Sequence, residues 1–161
     1  CPYKRILNEK ELQAMMDTGR FSFIKDTCSD IELIRKKLKQ IKGSALQLFN
    51  ANSTTLLDSL KEGADGYCGV MANFHPEIYV WLCSHYMEEN AREVNDILSI
   101  NALIEKQLYP VNAKWHLREL EGLPMEIDAR AQDCRRMTET FKEEVRIMDR
   151  LTNKMYAKLC R

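Results

Sequence analysis

The 161-residue chain lacks an excess of charge of either sign. Lys plus Arg and Asp plus Glu both number 24, so the formal net charge is zero. This balance gives no reason to expect nucleic acid or an anionic membrane as a partner. No apolar run approaches the roughly 20 residues that span a bilayer, and the start carries no signal-peptide pattern. With 45% hydrophobic and 30% charged residues, the composition is typical of a soluble globular protein.

The sequence also lacks the cysteine pairs of zinc and redox motifs. No two cysteines form a C-x-x-C pair, so neither kind of site is supported. A chain of this length with this many core residues needs no disulfides, and we expect reduced thiols in a cytosolic protein. The acceptor pattern at Asn52–Thr54 matches N-glycosylation by sequence alone, and a cytosolic protein would not use it. The six cysteines are Cys1, Cys28, Cys68, Cys83, Cys134 and Cys160.

Histidine is scarce as well. His75, His85 and His116 are far apart, and none has a second ligand at metal-binding spacing. We therefore expect all three to be structural or solvated, and we predict no metal site.

The first half alternates helical and strand patterns. A capping box of Asn8 and Glu11 begins a helix over residues 8–17, and Gly19 ends it. Further helices are predicted from Ser29 or Asp30 to Gly43 and from Asn52 or Ser53 to Gly63. Strands are predicted over 21–25, 44–49 and 65–70. This order indicates an α/β fold with βαβ units around a parallel sheet.

The character of the chain changes after Pro76. Residues 77–161 are predicted to be helical, with breaks at Pro110 and at 122–124. The last helix is expected from about residue 128 to 160, with an apolar stripe that packs against the domain or a second subunit. The stripe comprises Met137, Phe141, Val145, Met148 and Leu151. The chain therefore divides into residues 1–76 and 77–161.

Lys25 stands where a parallel sheet places reactive groups. By the period of two, Phe21, Phe23 and Lys25 share one face, and Lys25 is the last of them in its strand. Burial among these aromatics would favour the neutral, nucleophilic amine. Two alternatives remain open: the lysine extends to solvent from the strand end, or it pairs with Asp26. Asp26 faces the other side and is expected to be a cap or an ion-pair partner.

Other candidates lie near the ends of the predicted strands. Thr27 shares the face of Lys25 and is placed to hydrogen-bond near the amine. Asn50 directly follows the second strand, where polar side chains bind substrate oxygens, although helix capping would also account for such a loop. Gly66 and Gly69 weaken a strand unless something approaches closely, and with Cys68 they are expected to keep space open beside Lys25.

Three segments together resemble the dihydrodipicolinate synthase / N-acetylneuraminate lyase family of class I aldolases. They are "FIKDT" at 23–27, "LFNAN" at 48–52 and "GADGYCGVMANFHP" at 63–76. The resemblance extends along the whole chain. It implies a (β/α)8 TIM barrel, of which only strands six to eight and the carboxy-terminal three-helix region are present.

The resemblance also implies a chemistry. Lys25 on strand six would form a Schiff base with pyruvate or a related 2-oxo acid, and the enzyme would make or break a C–C bond as a lyase or aldolase. Thr27, Asn50 and the groups at Cys68, Gly69 and Val70 would contact the substrate. No metal or organic cofactor is expected, and the small-molecule acid would be the partner, in a cytoplasmic homo-oligomer.

Two parts of the family pattern have no counterpart in this sequence. The family's tyrosine would fall just before Cys1 if Pro2 is the motif proline, and Tyr3 falls after that proline. The strand-two motif that holds the acid's carboxylate is absent too. We therefore expect a carboxy-terminal fragment of a longer chain that is inactive by itself. Two other hypotheses are a non-catalytic 2-oxo-acid-binding relative and a helical interaction fragment without enzymatic activity.

Overall fold

The computed structural model describes residues 6–159, so Cys1, Pro2, Tyr3 and Cys160 lie outside the described residues. The α-helices are α1 Glu9–Thr18, α2 Ile31–Ile41, α3 Leu56–Lys61, α4 Pro76–His85, α5 Ala91–Asn101, α6 Val111–Glu119 and α7 Glu139–Leu159. The strands are β1 Phe23–Asp26, β2 Gln47–Asn50 and β3 Gly66–Tyr67. Short 3-10 helices cover Val70–Asn73, Ala102–Lys106 and Cys134–Arg136.

The three strands form one parallel sheet in the order β1-β2-β3. Helices α2 and α3 connect successive strands, which confirms the predicted α/β alternation. The third strand is shorter than the predicted 65–70 because the backbone enters the 3-10 helix at Val70.

Local signals set the ends of the first two helices. The Asn8 side chain accepts a hydrogen bond from the Glu11 amide at 3.0 Å, and the Glu11 carboxylate accepts one from the Asn8 amide at 3.0 Å. Gly19 ends α1 in the left-handed conformation, with φ of 63°. Asp30 caps α2 by accepting from two backbone amides of its first turn.

A first apolar core lies between the sheet and helices α1 and α2. Ile34, Leu38 and Ile41 follow one face of α2, as the helical spacing predicts, and all are buried. They pack with Leu12 of α1 and Leu48 of β2. The helices therefore cover one face of the sheet. Every second residue of β1 and β2 points toward that face.

A second and larger core joins the helices that follow the sheet. It includes Leu57 from α3, Leu82 from α4, Leu98 from α5 and Val145 from α7, all with 0% exposure. Met71, in the turn after β3, belongs to the same core. The core thus contains residues from both sides of Pro76.

The last helix differs in part from the prediction. It begins at Glu139 and not near residue 128, because residues 120–133 form no helix and Cys134–Arg136 form only a single 3-10 turn. Val145 and Met148 of the predicted stripe are buried, whereas Leu151 is 57% exposed. Thr152 takes the inward position beside it, and its hydroxyl accepts a hydrogen bond from Asn101 at 2.7 Å.

Cysteines and membrane spans give two further observations. Cys28, Cys68, Cys83 and Cys134 are all free thiols, as the sequence predicts for these four. Among residues 6–159, none of the helices has the length and apolar content needed to cross a bilayer.

Asp26 and Lys37 form a nearly buried ion pair between β1 and α2. Lys37 Nζ lies 2.6 Å from Asp26 Oδ2, with side chains 12% and 1% exposed. Burial acts to raise the pKa of Asp26, but hydrogen bonds from Cys28 and Lys37 outweigh it and leave that pKa below its usual value. The predicted role of Asp26 as an ion-pair partner is confirmed, with Lys37 as the cation.

We expect Lys37→Met to lower the free energy of unfolding by about 3 kcal/mol, because it leaves the buried carboxylate of Asp26 without its cation. Urea unfolding followed by circular dichroism measures this change. Lys36→Met is the matched control: Lys36 is exposed on the same helix, so its replacement should change stability by less than about 0.5 kcal/mol. Equal losses in the two variants would contradict the assigned role of the pair.

Candidate active site

Lys25 lies at the carboxyl end of the sheet on the face that the helices leave open. The parallel register places it beside Phe49 of β2, and Phe49 beside Gly66 of β3. These three residues therefore form one row across the sheet. Along β1, Phe23 and Lys25 are exposed while Ile24 and Asp26 are buried. Phe23 and Lys25 share one face of the strand, as predicted. Lys25 is exposed in this chain, whereas the sequence had predicted a buried, desolvated amine.

The aromatic rings beside Lys25 are held by packing within the row. Phe23 and Phe49 meet edge to face, with ring centroids 6.0 Å apart. A Cβ atom added at Gly66 would lie 3.1 Å from the Phe49 ring. Gly66 therefore makes room for an aromatic ring of the chain itself, whereas the sequence had suggested open space for a ligand.

Glu105 is the carboxylate whose charge interacts with Lys25. It comes from the 3-10 helix Ala102–Lys106, far along the chain from the sheet. Burial raises the pKa of Glu105, and the positive charge of Lys25 opposes that rise. Sequence reasoning missed Glu105, because no local pattern relates a residue of a helical tail to a strand 80 positions earlier.

A buried hydroxyl cluster supports the loops next to this row. Tyr67 and Tyr79 stack with centroids 4.0 Å apart, and the Ser53 hydroxyl lies 2.7 Å from that of Tyr79 and 3.2 Å from that of Tyr67. Burial raises the pKa of both phenols, so both are neutral at pH 7. The cluster joins the loop after β2 to β3 and to α4.

Gly69 permits the close approach of that cluster to the loop after β2. A Cβ atom at this position would lie 2.0 Å from the Tyr67 hydroxyl and 2.5 Å from the Ala51 carbonyl oxygen. Gly69 therefore makes room for Tyr67 and the Ala51 backbone, and its expected place beside the substrate stays a prediction.

Asn50 faces the helices and not the row of Lys25. Its side chain is fully buried, donates to Thr55 and Ser59 at 2.9 and 3.0 Å, and accepts from the Asn52 amide at 2.8 Å. These bonds occupy its amide within its own loop. The Asn52 side chain in turn accepts from the Thr55 amide, and α3 begins only after Thr55.

The other predicted contacts lie just beyond the carboxyl ends of the strands. Thr27 is exposed and, with Lys25, lines a small cavity of about 110 Å³ that Asp26 and Lys37 also line. Cys68 is exposed directly after β3, and its backbone amide donates to the Asn50 carbonyl at 2.8 Å. Gly69 and Val70 are half-buried where the 3-10 helix begins.

The prediction that the histidines are far apart is wrong for two of the three. His75 and His116 are not isolated: their ring centroids lie 5.6 Å apart, and Asp149 completes a cluster of three side chains of the kinds that can bind a metal. His85 is half-buried elsewhere and stacks on Trp81. Sequence spacing missed the cluster because its members come from three separate segments.

A family model connects these observations with known proteins. The model described as the dihydrodipicolinate synthetase family matches residues 7–147. A 4-hydroxy-tetrahydrodipicolinate synthase from Coxiella burnetii is 28% identical over 105 residues, which cover 63% of this chain and 35% of that protein.

Solved structures show the same fold. Dihydrodipicolinate synthase from Thermotoga maritima aligns with a TM-score of 0.70 and 23% identity, covering 90% of this chain and 50% of that one. The chloride-inhibited enzyme from Acinetobacter baumannii, complexed with pyruvate, aligns with a TM-score of 0.75 and 20% identity, covering 88% and 49%. The chain thus spans about half the length of these TIM-barrel proteins, and its three-stranded sheet is consistent with part of a barrel.

We expect Gly69→Ala to lower the free energy of unfolding by about 1–3 kcal/mol, because the added methyl group displaces Tyr67 or the Ala51 backbone. Urea unfolding measures the loss. Cys68→Ala, at the exposed neighbouring position, should change stability by less than about 0.5 kcal/mol. A fully stable Gly69→Ala variant would show that the loop relaxes without cost.

Proposed function

The chain belongs to the dihydrodipicolinate synthetase family, and from this premise we propose that the protein is a lyase or aldolase that forms a Schiff base between Lys25 and pyruvate or a related 2-oxo acid. The observation that carries the proposal is the position of Lys25. It stands at the carboxyl end of a parallel strand, on the sheet face opposite the helices, where barrel enzymes hold their reactive groups.

The proposed reaction begins when the neutral Lys25 amine attacks the 2-oxo carbon. The resulting adduct takes up a proton and loses water, which leaves an iminium ion. When the C–C bond one carbon further along breaks, its electron pair moves into the iminium to give an enamine, and the hydroxyl group on the departing carbon loses its proton to leave a carbonyl group. In the reverse direction, the same iminium loses a proton and the new carbon nucleophile forms the bond. This sequence needs neither a metal nor an organic cofactor.

The surroundings of Lys25 support this role. Phe23 and Phe49 provide an apolar wall, and covering this face with further strands would desolvate the amine and favour its neutral form. Glu105 is a candidate proton carrier, because burial already raises its pKa and it interacts with Lys25. Thr27, Cys68, Gly69 and Val70 remain proposed substrate contacts. Asn50 is left out of this proposal, because its side chain bonds within its own loop.

Pyruvate is a reasonable first substrate to test, since the Acinetobacter baumannii relative was solved in complex with it. A cytoplasmic location and a homo-oligomeric state remain predictions.

The decisive experiment traps the Schiff base. A family-length protein that carries this chain is incubated with pyruvate and borohydride, and its peptides are analysed by mass spectrometry. We expect one reduced adduct on Lys25. Lys25→Ala should lose the adduct and several orders of magnitude of turnover while its circular dichroism spectrum is unchanged.

Lys36→Ala is the control, because this exposed lysine of α2 should leave adduct and turnover intact. Turnover retained in Lys25→Ala would refute the proposed nucleophile. An adduct without any C–C bond cleavage or condensation would instead identify a non-catalytic 2-oxo-acid-binding relative.

We expect the 161-residue chain alone to associate through its open sheet face and to lack turnover. Phe23 is 59% exposed there, and parallel sheets are stable when both faces and edges are covered. Light scattering measures the mass, with a pyruvate cleavage assay beside it. Phe23→Ser should shift the mass toward the monomer, whereas Val80→Ser, at another exposed apolar position on α4, should not. A stable, active monomer would contradict the expectation.

A further inference from the structure

Three polar side chains meet among the helices that follow the sheet. His75 precedes α4, His116 lies on α6 and Asp149 lies on α7. One ligating atom from each lies within 4.8 Å of the other two. Both histidines are buried, with 3% and 0% exposure, and the Asp149 side chain is 18% exposed. We call these three residues the histidine cluster.

The cluster has unused ligating atoms. Nε2 of His75 and Nδ1 of His116 are buried and form no hydrogen bond with any residue that the structure describes. Buried polar atoms are nearly always paired, so an unpaired nitrogen on each of two neighbouring rings calls for an explanation. His116 turns its Nε2 toward Asp149, and its unpaired atom is the other ring nitrogen, so a shared ligand is indicated by the unpaired Nε2 of His75 together with the close approach of the three side chains.

The carboxylate of the cluster faces one of the two rings. His116 Nε2 lies 3.1 Å from Asp149 Oδ1, so the carboxylate either orients this ring or shares its ligand.

We propose that His75, His116 and Asp149 bind a divalent cation of the zinc type. Two imidazoles and one carboxylate are among the donor sets that zinc accepts. Glu121 is a further carboxylate nearby, with its Oε1 4.0 Å from His116 Nε2. With metal–ligand bonds of about 2.0–2.2 Å, binding requires the three side chains to rotate so that their ligating atoms draw closer than they stand here.

The role of this cation is structural. It would join the start of α4 to α6 and α7, and so hold the last helix against the segment that follows β3. None of the three residues belongs to the row of Lys25, Phe49 and Gly66, so metal binding is tested separately from the Schiff base.

The test uses the 161-residue chain, freed of metal and titrated with Zn²⁺ by calorimetry and with Co²⁺ by absorption spectroscopy. We expect one Zn²⁺ per chain and a higher Tm when it is bound. Co²⁺ should give the visible bands of a tetrahedral nitrogen and oxygen site. No near-ultraviolet band from a cobalt–thiolate bond should appear, which excludes binding by the cysteines.

Variants locate the site. His75→Ala and Asp149→Asn should each weaken Zn²⁺ binding at least tenfold, with circular dichroism confirming that the variants fold. His85→Ala removes a half-buried histidine outside the cluster and should bind like the parent chain. The proposal is overturned if the parent chain binds no cation stoichiometrically, if His75→Ala binds as tightly as the parent, or if the Co²⁺ spectrum shows thiolate ligands.

Discussion

A parallel sheet is stable when both of its faces are covered, and the helices described here cover only one. Ile24 and Leu48 meet the helices on the covered face, whereas Phe23 and Lys25 lie on the open one. Everything proposed for Lys25 depends on this division. The same alternation that buries Ile24 against α2 directs the lysine toward the side where further strands of a barrel would pack.

The carboxyl ends of the strands are held by polar side chains that the helices bury. Asn50 bonds to Thr55 and Ser59 behind β2, and Asp26 pairs with Lys37 behind β1. Because the side chains of Asn50 and Asp26 both have partners, the loops that follow β1 and β2 are fixed in position. Polar residues behind the sheet therefore position the residues in front of it, without themselves facing the proposed substrate.

The helices that follow the sheet enclose an apolar core and a polar cluster. The core of leucine, valine and methionine side chains is well packed and continuous with α3. Within it lies the histidine cluster, where buried ring nitrogens have no described partner. Apolar packing accounts for the arrangement of the helices, but only a bound ligand or a rearrangement would satisfy those nitrogens.

Features that depend on neighbours in sequence were predictable from the sequence by itself. The capping box of Asn8 and Glu11, the stop at Gly19 and the apolar face of α2 all follow from spacings of three or four residues, which a helix imposes locally. The family resemblance and the α/β alternation rest on equally local motifs. Tertiary structure alone decided which distant groups meet. It turned Asn50 toward the helices, brought Glu105 to Lys25 and assembled His75, His116 and Asp149, because those contacts depend on how the elements pack and not on the order of residues within any one of them.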